Sequence, residues 1–203
     1  MTKPLTTDEL AAVTEQQAAA AKTIFGFWVY LMTDCVLFAT LFATFAVLRN
    51  NTFGGPAGNE LFSLPFVLIE TLVLLTSSFT VGLGVLAARR RDRNQVLLFF
   101  GITMLLGIFF LTMELTEFHK LYVEGNSWRR SGFLSAFFTL VGTHGLHIAS
   151  GLLWMAIMML RTARHGLTDL SIKRLTMLSM FWHFLDIIWI FIFTVVYLMA
   201  GVV

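Results

Sequence analysis

Eight ionisable side chains stand inside long apolar runs of this sequence: Asp34, Glu70, Glu114, Glu117, His144, His147, His183 and Asp186. Glu114 with Glu117, His144 with His147, and His183 with Asp186 are each three residues apart, which on a helix puts both members of a pair on one face. Ionisable groups are costly inside a membrane and mark functional positions there. Four chemistries fit the set. In the plainest, these are structural polar groups that satisfy one another across helices, with His183 and Asp186 as a His–carboxylate pair one turn apart. In the second, His144, His147 and His183 offer imidazoles of the kind that ligate copper, iron or zinc. A bis-imidazole haem, however, needs ligands on opposite sides of its ring, and His144 and His147 share a face. In the third, the carboxyls of Asp34, Glu70, Glu114 and Glu117 are stations for protons, linked by water. In the fourth, basic residues at helix ends meet anionic lipid head groups. Arg161 is placed for that role, whereas Arg89 to Arg93 suit the ordinary one of fixing topology.

The elements that must position these groups follow from hydropathy. Residues 131–160 contain no Lys, Arg, Asp or Glu. At about 1.5 Å per residue a helix of that length exceeds the roughly 30 Å hydrocarbon core of a bilayer. Arg129 and Arg130 bound it on one side, Arg161 and Arg164 on the other. Around its two histidines lie Gly142, Thr143, Gly145, Ala149, Ser150 and Gly151, and Gly145 with Ala149 has the small-xxx-small spacing of closely packed membrane helices. The same reasoning gives five spans, about 23–48, 63–88, 95–118, 131–160 and 175–201, as one membrane domain over 23–203. Residues 1–22 form a polar, Ala-rich tail with Asp8, Glu9 and Glu15, read as a surface helix or a disordered segment and not as a cleavable signal peptide. Residues 50–58, NNTFGGPAG, are a loop by composition, and Pro65 sits where a first helical turn tolerates proline.

Composition agrees. Apolar residues make up 57% and charged residues 13% of the 203, with a mean hydropathy of +0.79, which excludes an ordinary soluble domain. The single Cys35 excludes an intrachain disulfide and a cysteine-based metal site. A net charge of +2, carried at helix ends, provides no patch for nucleic acid. The tail and the second and fourth connections hold Lys3, Lys22, Arg89, Arg90, Arg91, Arg93, Arg161, Arg164, Lys173 and Arg174. The opposite side holds Arg49, Lys120, Arg129 and Arg130, and together these are all 14 Lys and Arg. The positive-inside rule then places the N-terminus in the cytoplasm and the C-terminus outward. The expected fold is an all-α integral membrane protein, a five-transmembrane-helix bundle.

The motif Gly142-Thr143-His144-Gly145-Leu146-His147, followed by Arg161 and then by Trp182-His183-Phe184-Leu185-Asp186-Ile187-Ile188-Trp189, resembles subunit III of haem–copper terminal oxidases. Asp34 in YLMTDCVLF and Glu117 in TEF fit positions of the same family, so the resemblance covers about residues 23–201. Five spans, where mitochondrial members have seven, point to a bacterial branch. The stretches KTIFGFWVYLMTDC, RSGFLSAFFTLVGTHGLH and FWHFLD are most similar to the bo-type ubiquinol oxidase branch, with the five-span subunits of bacterial cytochrome c oxidases as the alternative.

The resemblance implies a non-catalytic subunit of an oxidoreductase complex in the bacterial inner membrane. It implies no cofactor and no metal in this chain, with haem and copper in the partner subunit I. Subunits I, II and IV and membrane phospholipids are the implied partners, and stabilisation of subunit I and lipid binding the implied roles. Asp34 stands where most cytochrome c oxidase members carry a Glu that is labelled by carbodiimide. Arg161 matches a basic residue that contacts lipid head groups. His144, His147, His183, Asp186 and Glu117 match family positions that have no agreed catalytic role, and Glu70 corresponds to an amide in seven-span members. Two other classes compete with this reading. One is a free-standing transporter with the carboxyls as its path, against which stand five spans without a repeat or a broken helix pair. The other is a membrane haem protein, which would be coloured when purified alone.

Overall fold

The computed structural model describes residues 6–53 and 63–199, and every regular element among them is a helix. α1 runs Thr7–Leu48, α2 Leu64–Arg89, α3 Arg93–Val123, α4 Gly132–His165 and α5 Asp169–Ile192, with a π-helical continuation Phe193–Leu198. Five stretches are long and apolar enough to cross a membrane: Ala21–Leu48, Leu64–Arg89, Arg93–Val123, Gly132–His165 and Asp169–Leu198. The five-span, all-α expectation stands. The outer faces carry the side chains that such a setting demands. Phe79, Leu105, Leu146 and Leu153 are 65–73% exposed, which on a water-soluble surface would be a large apolar patch and in lipid is the favoured arrangement.

Local chemistry fixes where the helices begin and end. Asp92 caps α3 by accepting from the backbone N–H of Asn94 and Gln95, Ser131 caps α4 through Leu134 N–H, and Thr168 caps α5 through Ser171 N–H. Pro65 lies in the first turn of α2. Gly166 ends α4 at a φ of +73°, a conformation that costs glycine little. The turn between α2 and α3 has only Arg90, Arg91 and Asp92 outside the two helices, and Arg91 adopts a φ of +57° to make it.

Several helices outrun the apolar runs that announce them. α1 begins within the polar tail at Thr7, and α3 passes Phe118 to end at Val123. Helix formation needs only residues without a breaker, and Ala, Glu, Gln and Lys are strong helix formers in any solvent. α5 ends differently from the expected uninterrupted helix, by widening into the π segment after Ile192. The expected loop residues 54–58, the first five residues of the tail and the expected end at Gly201 lie outside the described residues.

The chain divides into two compact units within α1, one up to Leu37 and one from Phe38 onward. In the first, Leu31 and Asp34 are buried while Phe25, Trp28 and Met32 are exposed. In the second, α2 packs against α3 and α5, and α4 packs against the same two helices. Its centre is aromatic, with Phe100, Phe110, Phe137, Trp182 and Trp189 all buried. Glycine makes room for the largest of these. A Cβ on Gly107 of α3 would lie 2.9 Å from the Trp182 ring, and one on Gly151 of α4 3.2 Å from it, so the indole sits in a slot between two helices.

Candidate functional site

Two polar regions of different character occupy the second unit. The first is a seam between α2 and α5. Trp189 Nε1–H donates to Thr71 Oγ1 at 3.1 Å, Trp182 Nε1–H donates to Ser77 Oγ at 3.0 Å, and Ser78 Oγ shares a 2.6 Å hydrogen bond with His183 Nδ1. Numbers rise along α2 as they fall along α5, so the helices are antiparallel. Each acceptor hydroxyl is also a donor: Thr71 to Val67 O and Ser77 to Leu74 O. Such back-bonds let hydroxyls lie in apolar surroundings without an orphaned proton. Asp186 is buried one turn from His183, with Ser78 and His183 as its polar neighbours. His183 thus takes its closest hydrogen bond from another helix, and no His183–Asp186 ion pair forms among the described residues.

The second region is a carboxyl cluster. Glu70 of α2 and Glu114 and Glu117 of α3 lie within electrostatic reach of one another. The Tyr197 hydroxyl, presented by the π segment, donates to Glu117 Oε2 at 2.9 Å and feels all three carboxyls. Gly145 of α4 forms the opposite wall, since a Cβ there would lie 2.6 Å from Glu114 Oε1. Glu70 is 0% and Glu114 2% exposed. Both Glu70 oxygens and Glu114 Oε2 are buried without a hydrogen-bond partner among the described residues. A cavity of about 320 Å³ between the start of α2 and the end of α3 is lined by Ser63, Phe66, Thr116, Glu117, Lys120 and Leu121, so Glu117 connects the cluster to the helix ends.

The remaining predicted residues fall elsewhere. His144 is fully buried among rings, 5.3 Å from Trp189 in a stacked pose and 6.0 Å from Phe110 edge-on. His147, on the same helix face, pairs its Nδ1 with Thr143 O at 2.7 Å and lies 5.2 Å from Phe38. Arg161 is exposed near the end of α4. Asp34 is buried in the first unit. The histidines do not form a ligand set. His144 is enclosed by aromatic rings, the Nδ1 atoms of His147 and His183 are engaged by protein oxygens, and no three His, Cys, Asp or Glu groups among the described residues are arranged to hold a metal.

Sequence reasoning missed Tyr197, Thr71, Ser77 and Ser78. A signal for the seam was present: Thr71 and Ser78 are seven residues apart, as are Trp182 and Trp189. This is the repeat with which two antiparallel helices present the same face twice. For Tyr197 no signal existed, because its direction depends on the π segment.

A family model described as cytochrome c oxidase subunit III matches residues 9–201. The chain is 55% identical over 183 residues to the cytochrome bo(3) ubiquinol oxidase subunit 3 of Pseudomonas aeruginosa, covering 90% of this chain and 88% of that one. It is 44% identical over 200 residues to the cytochrome c oxidase subunit 3 of Bacillus sp. (strain PS3), covering 98% and 97%. To the quinol oxidase subunit 3 of Bacillus subtilis (strain 168) it is 44% identical over 185 residues, 91% of each. Coverage of about nine-tenths or more in both directions means that the similarity is not confined to one motif or one span. The chain is a multi-span membrane protein that belongs to the cytochrome c oxidase subunit III family.

Proposed function

We propose that this chain is the non-catalytic third subunit of a proton-pumping terminal oxidase of the bacterial inner membrane, a complex that oxidises ubiquinol and reduces dioxygen to water. The observation that carries the reading is the 55% identity to a ubiquinol oxidase subunit 3 across nine-tenths of the chain, against 44% to a cytochrome c oxidase subunit 3. Haem and copper belong to the partner subunit I, with subunits II and IV completing the complex. The second reading, a subunit of a cytochrome c oxidase, draws on the 98% coverage of this chain by the Bacillus relative.

In this role the chain stabilises subunit I and holds lipid. Arg161, exposed near a helix end, meets an anionic head group, and Asp34, Glu70 and Glu117 are the carboxyls that handle protons or face bound lipid. His144, His147, His183 and Asp186 serve the packing of the bundle. The N-terminus is cytoplasmic and the C-terminus outward by the charge asymmetry, which sets the cavity beside Glu117 at the outer face. Affinity purification of the tagged chain in mild detergent tests the assembly. A co-purifying subunit with haem absorbance in the reduced-minus-oxidised spectrum supports it, and a chain that comes out alone and colourless returns the transporter class to the front. The accompanying subunit II decides the electron donor, by lacking or having a Cys/His copper site.

A further inference from the structure

Three observations meet where α2 begins and α3 ends. Glu70, Glu114, Glu117 and Tyr197 form one electrostatically connected group. Three of the four oxygens of Glu70 and Glu114, residues only 0% and 2% exposed, are buried with no hydrogen-bond partner among the described residues. A cavity reaches the group at Glu117, past the hydroxyls of Ser63 and Thr116 and the ammonium of Lys120.

A buried acceptor left without a donor costs about 1–3 kcal/mol, and the side chains of the site do not supply the missing donors. Tyr197 has one hydroxyl proton and gives it to Glu117. Charge balance narrows what does. Three carboxyls facing one another inside an apolar wall require protons or cations among them. Lys120 lies near Glu117, and no three acidic or histidine groups among the described residues converge to hold a metal ion. Protons, and the waters that carry them, satisfy both the charge and the orphaned oxygens.

We propose that Glu70, Glu114, Glu117 and Tyr197 form a proton-exchange site that draws water through the cleft of Ser63, Thr116 and Lys120 and is closed beyond Tyr197 by the rings of Trp189, Phe110 and His144. This deepens the proton reading of the carboxyls given above. The ionisable groups that face it are Glu70 from α2, Glu114, Glu117 and Lys120 from α3, His144 from α4 through the aromatic layer, and Tyr197 from the π segment. The exchange is O–H chemistry alone: a proton leaves a carboxyl for a water in the cleft and another returns. With its cleft at the helix ends and an aromatic floor, the site stores and equilibrates protons with one side of the membrane and does not pass them across.

The test is infrared difference spectroscopy on the intact oxidase complex, transferred from H₂O to D₂O. The expected result is a carboxylic C=O band that shifts in D₂O, survives Asp34→Asn, and loses part of its amplitude in Glu70→Gln and again in Glu114→Gln. Thr116→Trp, at an exposed position on the rim, should keep the band and slow its exchange several-fold. A band indifferent to both Gln variants overturns the site, and wild-type exchange in Thr116→Trp overturns the cleft as its entrance. Haem absorbance of the same preparations reports assembly separately, so a failure of the subunit reading is distinguishable from a failure of this one.

Discussion

The seam between α2 and α5 and the carboxyl cluster meet at neighbouring residues of α2, yet they treat polarity in opposite ways. Along the seam each indole N–H meets one hydroxyl, and each of those hydroxyls passes its own proton to a backbone carbonyl. Thr71 belongs to the seam and Glu70, the residue before it, to the cluster. In the cluster, acceptors outnumber donors, and the one phenol donates to only one of the three carboxyls. The difference teaches how to separate polar groups that hold a membrane bundle together from polar groups kept for chemistry. In the first kind the indoles and their hydroxyls are matched donor for acceptor, so their burial is a stabilising arrangement. The second is left deficient at three carboxyl oxygens, a shortfall that mobile water can complete.

Mutations along this divide should sort by size. Trp182→Ala empties the slot between Gly107 and Gly151 and removes the donor to Ser77. It should cost about 3–5 kcal/mol, seen as a sharply lowered thermal midpoint of the detergent-solubilised complex and loss of this chain from it. Gly107→Ala drives a methyl into the rigid edge of the same indole, and about 1–3 kcal/mol of destabilisation is expected in the same assay. Trp189→Phe keeps the ring packing and deletes one donor to Thr71, whose hydroxyl still bonds Val67 O, so about 1 kcal/mol should be lost. A neutral outcome for all three would remove the seam from the list of stabilising features. Glu70→Gln should run the other way, because an amide brings donors to a site short of them: stability measured by thermal denaturation should hold or rise by up to about 1 kcal/mol. The smallest effect is expected outside both regions. Asp34→Ala should leave most of the initial rate of oxygen uptake, and an immediate, complete loss would argue for a direct part in catalysis.

How much of this was legible in the sequence depended on what each feature is made of. The five spans were, because a charge-free run such as 131–160 has no other stable setting. The ionisable residues were legible as a set, since each interrupts an apolar run. Their sorting into two regions was not. His183 reads as the partner of Asp186, one turn away, yet its 2.6 Å bond is to Ser78 on a helix 105 residues earlier in the chain. Glu117 reads as the partner of Glu114, three residues before it, and its hydrogen bond comes from Tyr197, 80 residues later. Periodicity gives the face of a helix and is silent on which face of which neighbour it meets, above all where lipid-facing and protein-facing sides are both apolar. The extension of α1 back to Thr7 escaped for a different reason: hydropathy reports where a helix crosses lipid, and not where its hydrogen-bonded ladder starts.

The three-residue turn Arg90-Arg91-Asp92 carries a consequence for how the protein is made. It ties α2 to α3 so closely that the two are a helical hairpin, joined by neighbouring contacts such as Gly84 against Phe100 and Thr80 to Thr103. Contacts this local form early and quickly. The pair is therefore suited to enter the bilayer as one inserted unit, with its arginine-rich tip left on one side. The later helices then add to a hairpin already standing in the membrane.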